Sequence, residues 1–455
     1  MNARKQSAFQ WINGSILTIT TNLCKMLRKN LPKIITAMIL AVFQSTITGW
    51  LRCFPGGASK STLYYQVASV GRRVADLEEA VADFIASYGD LLSNATSLTF
   101  IIDDTPTKRY GSKIEGANYF HNPTPSKTDA RLCYGHSWVV LAIVLSHPTR
   151  GNIVIPLRHT LYIKENDVKK LTPKQQKEHP FRTKLTMATE LIHWAYKQFS
   201  PLNKGMTLLI DGGYASNEVI AAARKAGMKV ITRLRKDSAL FTVPEQSGQR
   251  RRGRPKKYGD RVNLSEWGNE DSWFGTVCDL YGKERNTEYK TAVLTGRLTD
   301  GKPFRVVMTR QESSQCEKSE PWVLLFSSDV NDTPKQIIET YSLRFGIEEM
   351  FKDLKENEGI GKQQTRKLES NIGAFSLCLL MYTLVEFWAW DQANKKLTEH
   401  SRSSWDDPNR RPSHADKRNA LRLEIKRDEF RRVFGKKLNP YLFKRIEKSL
   451  FFNAV

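Results

Sequence analysis

The sequence predicts an α/β protein built on a mixed sheet, and three observations carry that expectation. Between residues 97 and 163 three β-rich runs follow one another, "SLTFIIDDT" (97–105), "HSWVVLAIVL" (136–145) and "GNIVIPLRHTLYI" (151–163). From 183 to 234 helix and strand alternate: a helix over 183–198, a strand in "MTLLIDGGYAS" (206–216), a helix over 218–226 and a strand in "KVITRL" (229–234). Two well-separated strands in this series, the first and the fourth, close on an acid.

Taken in order along the chain, residues 1 to about 95 read as a helical region. Apolar residues in 31–51 and 74–92 recur at spacings of three and four, and "FPGGASKST" (54–62) is a turn followed by a Ser/Thr cap. The segment "SKSTLYYQVASVGRR" (59–73) suits either a DNA-recognition helix or a plain structural one. The βββαβαβ order over 96–234 is the pattern of a ribonuclease H-like core. Residues 235–330 break that alternation with a basic loop and short strands such as "TAVLTGRL" and "FRVVMTR", a β-rich insertion. A core helix returns within 331–365, and 366–455 is a helical, basic C-terminal region with an apolar stretch at 366–391.

Composition restricts the partners. The chain has 455 residues and a formal net charge of +24, spread along its length rather than gathered in one tail. Such a field concentrates polyanions, nucleic acid foremost. The apolar runs 35–42 and 377–390 are shorter than a bilayer-spanning helix requires, and Glu386 interrupts the second, so no membrane partner is expected. No apolar leader with a small-residue cleavage site opens the sequence, and the six cysteines are scattered without metal-ligand spacing, which together point to a reducing, cytoplasmic location.

The acids carry the chemistry. In "FIIDDT" and "LLIDGGY" carboxylates follow buried-strand residues, which sets Asp211 and either Asp103 or Asp104 at strand ends beside a cleft. A single such Asp is ordinarily a turn or cap residue. Two of them with a third acid on a later helix need cations, and oxygen ligands suit Mg²⁺ or Mn²⁺. Two ions roughly 3.5–4 Å apart would serve an in-line phosphodiester displacement. The later acid stands in "YSLRFGIEEMFKDLK" (341–355), where Leu343, Ile347, Met350 and Leu354 form the apolar stripe of one helix and Tyr341, Arg344, Glu348 and Lys355 form a second stripe beside it. Taken alone, that second stripe is a solvated face with an i,i+4 ion pair.

Together, Asp104 in "DDT", Asp211 in "DGGYAS" and the series Tyr341, Arg344, Glu348, Lys355 resemble the DDE triad and Tyr-Arg-Glu-Lys signature of bacterial insertion-sequence transposases, the insertion-sequence-four group. The resemblance covers about residues 95–365. It implies Asp104, Asp211 and Glu348 as metal ligands, Asp104 being preferred because the resembled motif runs Asp-Thr. It further implies Tyr341, Arg344 and Lys355 as phosphate contacts, and Trp322 in "PWVLLFSS" as a stacking platform for a flipped base, against the plain alternative of a core aromatic. The implied activity is cut-and-paste DNA transposition: binding of terminal inverted repeats, cleavage at the ends and joining of 3′-hydroxyls to target DNA, through a synaptic homodimer on the bacterial nucleoid. A nuclease or resolvase of the same fold, and a non-catalytic DNA-binding regulator, are the alternatives. Separately, Arg252, Gly253, Arg254 and Pro255 in "QRRRGRPKKYGDR" (249–261) resemble an AT-hook, an extended segment whose arginines enter a narrow minor groove.

Overall fold

The computed structural model describes residues 7–451 apart from 22–24, 42–44, 90, 93, 122–130, 245–255, 312–321, 364, 399–405, 408–409 and 436–438. Its centre is one large mixed sheet. The strands are β1 (Ser97–Lys108), β2 (Asn118–His121), β3 (Leu132–His147), β4 (Gly151–Tyr162), β5 (Gly205–Ile210), β6 (Met228–Leu234), β7 (Leu240–Thr242), β8 (Phe274–Leu280), β9 (Lys283–Gly296), β10 (Phe304–Gln311) and β11 (Val323–Ser327). The order through the core is β4-β3-β1-β5-β6, with β3 antiparallel to both β1 and β4, and with β1, β5 and β6 mutually parallel. This is the ribonuclease H-like arrangement that the sequence predicts.

Strands β7–β11 continue the same sheet instead of forming one of their own, because β11 pairs antiparallel with β6, β10 with β11 and β9 with β10. β11 pairs with Ile231–Leu234 of β6, so the 235–330 segment covers the C-terminal half of that edge of the core.

Helices cover both faces. Along β1 the side chains alternate: Phe100 packs on Phe199 of the helix Lys184–Phe199, with ring centroids 5.3 Å apart, whereas Thr105 lies opposite Trp138 of β3, which stacks on Phe375 of the helix Leu368–Trp390 at 4.0 Å. Even-numbered positions therefore face the first helix and odd-numbered positions the second. Phe100, Ile101 and Ile102 are consequently all buried.

The stretch 334–356 is two helices and not the single helix expected. Pro334–Ser342 ends and Phe345–Glu356 begins across a tight turn in which the amides of Leu343, Arg344, Gly346 and Ile347 each bond the carbonyl three residues back. Gly346 permits the change of direction, since a Cβ there would lie 2.6 Å from Cγ2 of Val154 on β4. Ile347, Met350 and Leu354 face the core as expected.

The helical flanks, distant in sequence, pack together around the helix Leu368–Trp390. That helix starts earlier than the 377–390 run suggests and, at 23 residues, is long and apolar enough to cross a membrane, but every residue of it except Glu369 is buried within the protein. Its Glu386 is paired internally, as described below. The helix Lys60–Gly71 crosses it at close range: a Cβ on Gly71 would sit 1.8 Å from the Glu369 carbonyl oxygen, and one on Gly373 would sit 1.9 Å from that of Val67.

Candidate active site

Asp103 and Asp104 stand at successive positions of β1 and so point to opposite faces of the sheet. β1 and β5 run parallel with Ile101 opposite Leu209 and Ile102 opposite Ile210; one step further, Asp103 lies level with Asp211, whose backbone is still extended. Asp103 also meets the later helix, its Oδ2 accepting from Nη1 of Arg344 at 2.9 Å. The other prong of the same guanidinium donates to Glu348 Oε1. Tyr341, at the end of the preceding helix, places its ring 5.8 Å from the Arg344 guanidinium.

Asp103 and Glu348 thus share one guanidinium, and Asp211, level with Asp103, is near enough for its charge to act on Asp103 and on the Tyr341 phenol. The preference for Asp104 as the acid facing the other two does not survive the geometry. Asp104 is turned toward the opposite face, where Lys184 Nζ lies 2.5 Å from its Oδ2, the Tyr214 hydroxyl donates to its Oδ1 at 2.9 Å and Ser137 Oγ donates to its Oδ2 at 3.4 Å.

The electrostatics follow from the crowding. Burial raises the Asp103 carboxyl to about 7, with Arg344 and the Asp104 amide opposing the rise and the charges of Asp104 and Asp211 adding to it. Burial likewise raises the Tyr341 phenol. Arg344 resists its own burial because Tyr341, Asp103 and Glu348 surround it, so its guanidinium is held charged.

Lys355 lies further along the Glu348 face of the helix, half-buried, and burial lowers its pKa with Lys108 adding to the effect. It forms no salt bridge among the described residues. Trp322 is not a platform open to a base: it is 3% exposed, its indole packs against Gly268 of the helix Leu264–Asn269, and Lys236 Nζ lies 4.6 Å from its ring centroid. Arg252 and Arg254 lie outside the described residues.

Carboxylate oxygens are the donors that Mg²⁺ and Mn²⁺ take, and an acid raised to about 7 chiefly by burial, with two further acids beside it, is one whose charge a divalent cation would stabilise. Among the described residues, no three acidic, histidine or cysteine side chains are close enough together to hold an ion as they stand, and the Arg344 guanidinium occupies the position between Asp103 and Glu348. The donor set, three carboxylates, has the chemistry such a cation takes, with Arg344 standing in as the cation for two of them. Lys184, Ser137 and Tyr214 were not singled out from the sequence. Tyr214 follows Asp211 by three residues in "DGGY", a local clue, but nothing local marks Lys184 or Ser137.

The model of the DDE superfamily endonuclease family matches residues 23–287, more than half of the chain. The matched span holds Asp103, Asp104 and Asp211 and ends before Glu348. No curated protein matches the chain.

Proposed function

The chain belongs to the DDE superfamily endonucleases, and from that membership we propose that it is a DNA transposase of the insertion-sequence-four type, acting on the terminal inverted repeats of a mobile element. The observation that carries this reading is the Arg344 guanidinium shared by Asp103 and Glu348, with Asp211 level with Asp103 and near the Tyr341 phenol, on a chain of net charge +24. Asp103, Asp211 and Glu348 would hold Mg²⁺ or Mn²⁺. A pair of such ions supplies an activated water or 3′-hydroxyl and stabilises the leaving oxygen.

The remaining work falls to side chains. Arg344, beside those carboxylates, would grip a DNA phosphate with two parallel hydrogen bonds from its planar fork. Tyr341 offers a hydroxyl at one end of the site and Lys355 a point charge further along the helix, so the strand is positioned by three groups of different geometry. Cut-and-paste transfer, a synaptic homodimer and work on the bacterial nucleoid complete the proposal.

Cleavage of labelled transposon ends in Mg²⁺ or Mn²⁺ tests it. Asp103→Ala, Asp211→Ala and Glu348→Ala are each expected to lose cleavage and to keep binding in a gel-shift assay, since each removes a carboxylate and leaves the basic surface intact. Normal cleavage by any of the three would remove that acid from the site. The family's endonuclease description favours one second reading, a nuclease without strand transfer; cleavage with no joining of 3′-hydroxyls to a target plasmid would select it.

A further inference from the structure

The environment of Asp104 is constructed, and it lies on the face of β1 opposite to Asp103. Both of its oxygens already have partners, drawn from three different elements: Tyr214 from the turn after β5, Ser137 from β3, and Lys184 from the first turn of the helix Lys184–Phe199.

The partner with the most to say is Tyr214. Asp211 is the N-cap of the 3₁₀ turn Gly212–Tyr214; its Oδ2 accepts from the Gly213 amide at 3.3 Å, and its carbonyl accepts from the Tyr214 amide at 2.9 Å. Tyr214, 4% exposed, then reaches back to Asp104 Oδ1. The turn that presents Asp211 is therefore tied to β1 at the residue next to Asp103. Asp104 acts on the other acid as well, because its own amide donates to Asp103 Oδ1 at 2.8 Å.

We infer that Asp104 is a positioning residue: its amide orients the Asp103 carboxylate and its side chain, through Tyr214, fixes the turn that carries Asp211, so that one residue sets the separation of two ligands that stand on different strands. The inference rests on the assignment of Asp103 and Asp211 to the cation. Residues that orient metal ligands from behind alter metal affinity about 10- to 100-fold when changed, even though they touch no metal.

The test is Mn²⁺ binding to the DNA-free, full-length protein, followed by electron paramagnetic resonance, with the melting temperature recorded beside it. Tyr214→Phe removes a single hydroxyl from a packed ring, and Asp104→Leu removes the carboxylate at similar size. Each is expected to weaken Mn²⁺ binding about tenfold. The double variant is expected to weaken it no further than the weaker-binding single variant, because both changes break the same tie. Asp103→Asn is expected to abolish binding at the site.

Parental Mn²⁺ affinity in both Tyr214→Phe and Asp104→Leu, whatever their melting temperatures, with binding lost in Asp103→Asn, would overturn the tie and leave the assignment of the ligands standing. Binding lost in Asp104→Leu but parental in Asp103→Asn would instead overturn the assignment itself, and the tie with it.

Discussion

Arg344 is the residue on which the site turns, for it bridges acids from two elements that are 245 positions apart in the chain (Asp103 and Glu348). A guanidinium can do this because its donors lie in one rigid plane. Lysine in its place keeps the charge and a comparable helix propensity, but one ammonium cannot span both carboxylates or grip a phosphate with two prongs. Arg344→Lys is therefore expected to slow single-turnover cleavage of a pre-cut transposon end about a hundredfold, the scale associated with small misplacements of reacting groups, while the melting temperature changes little. Near-parental cleavage would reduce Arg344 to a structural ion pair with Asp103 and Glu348. The adjacent acids of β1 show where sequence reading reaches its limit. That a carboxylate ends this strand is plain from "FIIDDT", but which one faces Asp211 is decided by strand alternation, and alternation is invisible when Phe100, Ile101 and Ile102 are all buried. The parallel register with β5 supplies what the residues alone do not.

Among the elements, those with strong local signals were legible: the strands of 97–163, the helix–strand alternation to 234, and the apolar face of Phe345–Glu356. The break at Leu343 and Arg344 was not, because no proline or pair of glycines marks it; the close approach of Gly346 to Val154 beside it involves a residue remote in sequence. Trp322 failed for a similar reason, its burial depending on Gly268 from another segment. Glycine gives the sharpest element-scale prediction. In an open helical position Ala is the better residue by about 1 kcal/mol, and Gly14, with nothing within 4 Å of a would-be Cβ, is such a position. Gly373 is helical too, but its Cβ would collide with the backbone of the helix Lys60–Gly71. Gly14→Ala is expected to raise the urea midpoint, and Gly373→Ala to lower it by the equivalent of about 1–3 kcal/mol. A rise for both would mean that the two helices part without cost.

On the scale of the molecule, a network of buried charges holds the helix His414–Phe434 to the rest. His414 donates to Glu358 at 2.6 Å and to Glu386 at 2.7 Å, Lys417 Nζ lies 2.5 Å from Glu386, and Arg418 Nε lies 3.5 Å from Glu358. Tyr382 stacks on the imidazole at 4.3 Å. Burial alone would lower the His414 pKa, but the two glutamates more than reverse this and raise it from 6.5 to about 9. Burial would raise Glu386, yet Lys417 and His414 bring it to about 2. The raised histidine contributes stability that is complete below pH 6.5 and is lost as pH climbs through about 9. The depressed glutamate contributes stability present above pH 4.5 and lost as pH falls toward 2. The melting temperature is accordingly expected to fall on the alkaline side between pH 6.5 and 9, and Glu358→Gln to flatten that fall by removing one of the two carboxylates facing His414. An equally steep decline in the variant would place the titrating group elsewhere. The same network has a genetic consequence. Removing the partner of a buried ion costs about 3–5 kcal/mol, and a whole domain is held by only about 5–15. A frameshift or stop codon between positions 387 and 413 strips both Glu358 and Glu386 of their counter-charges at once. Such an allele still encodes Asp103, Asp211 and Glu348, but its product is expected to lose a large share of the stability that folds the chain around them, so a break near the 3′ end is expected to be as damaging as one at the acids.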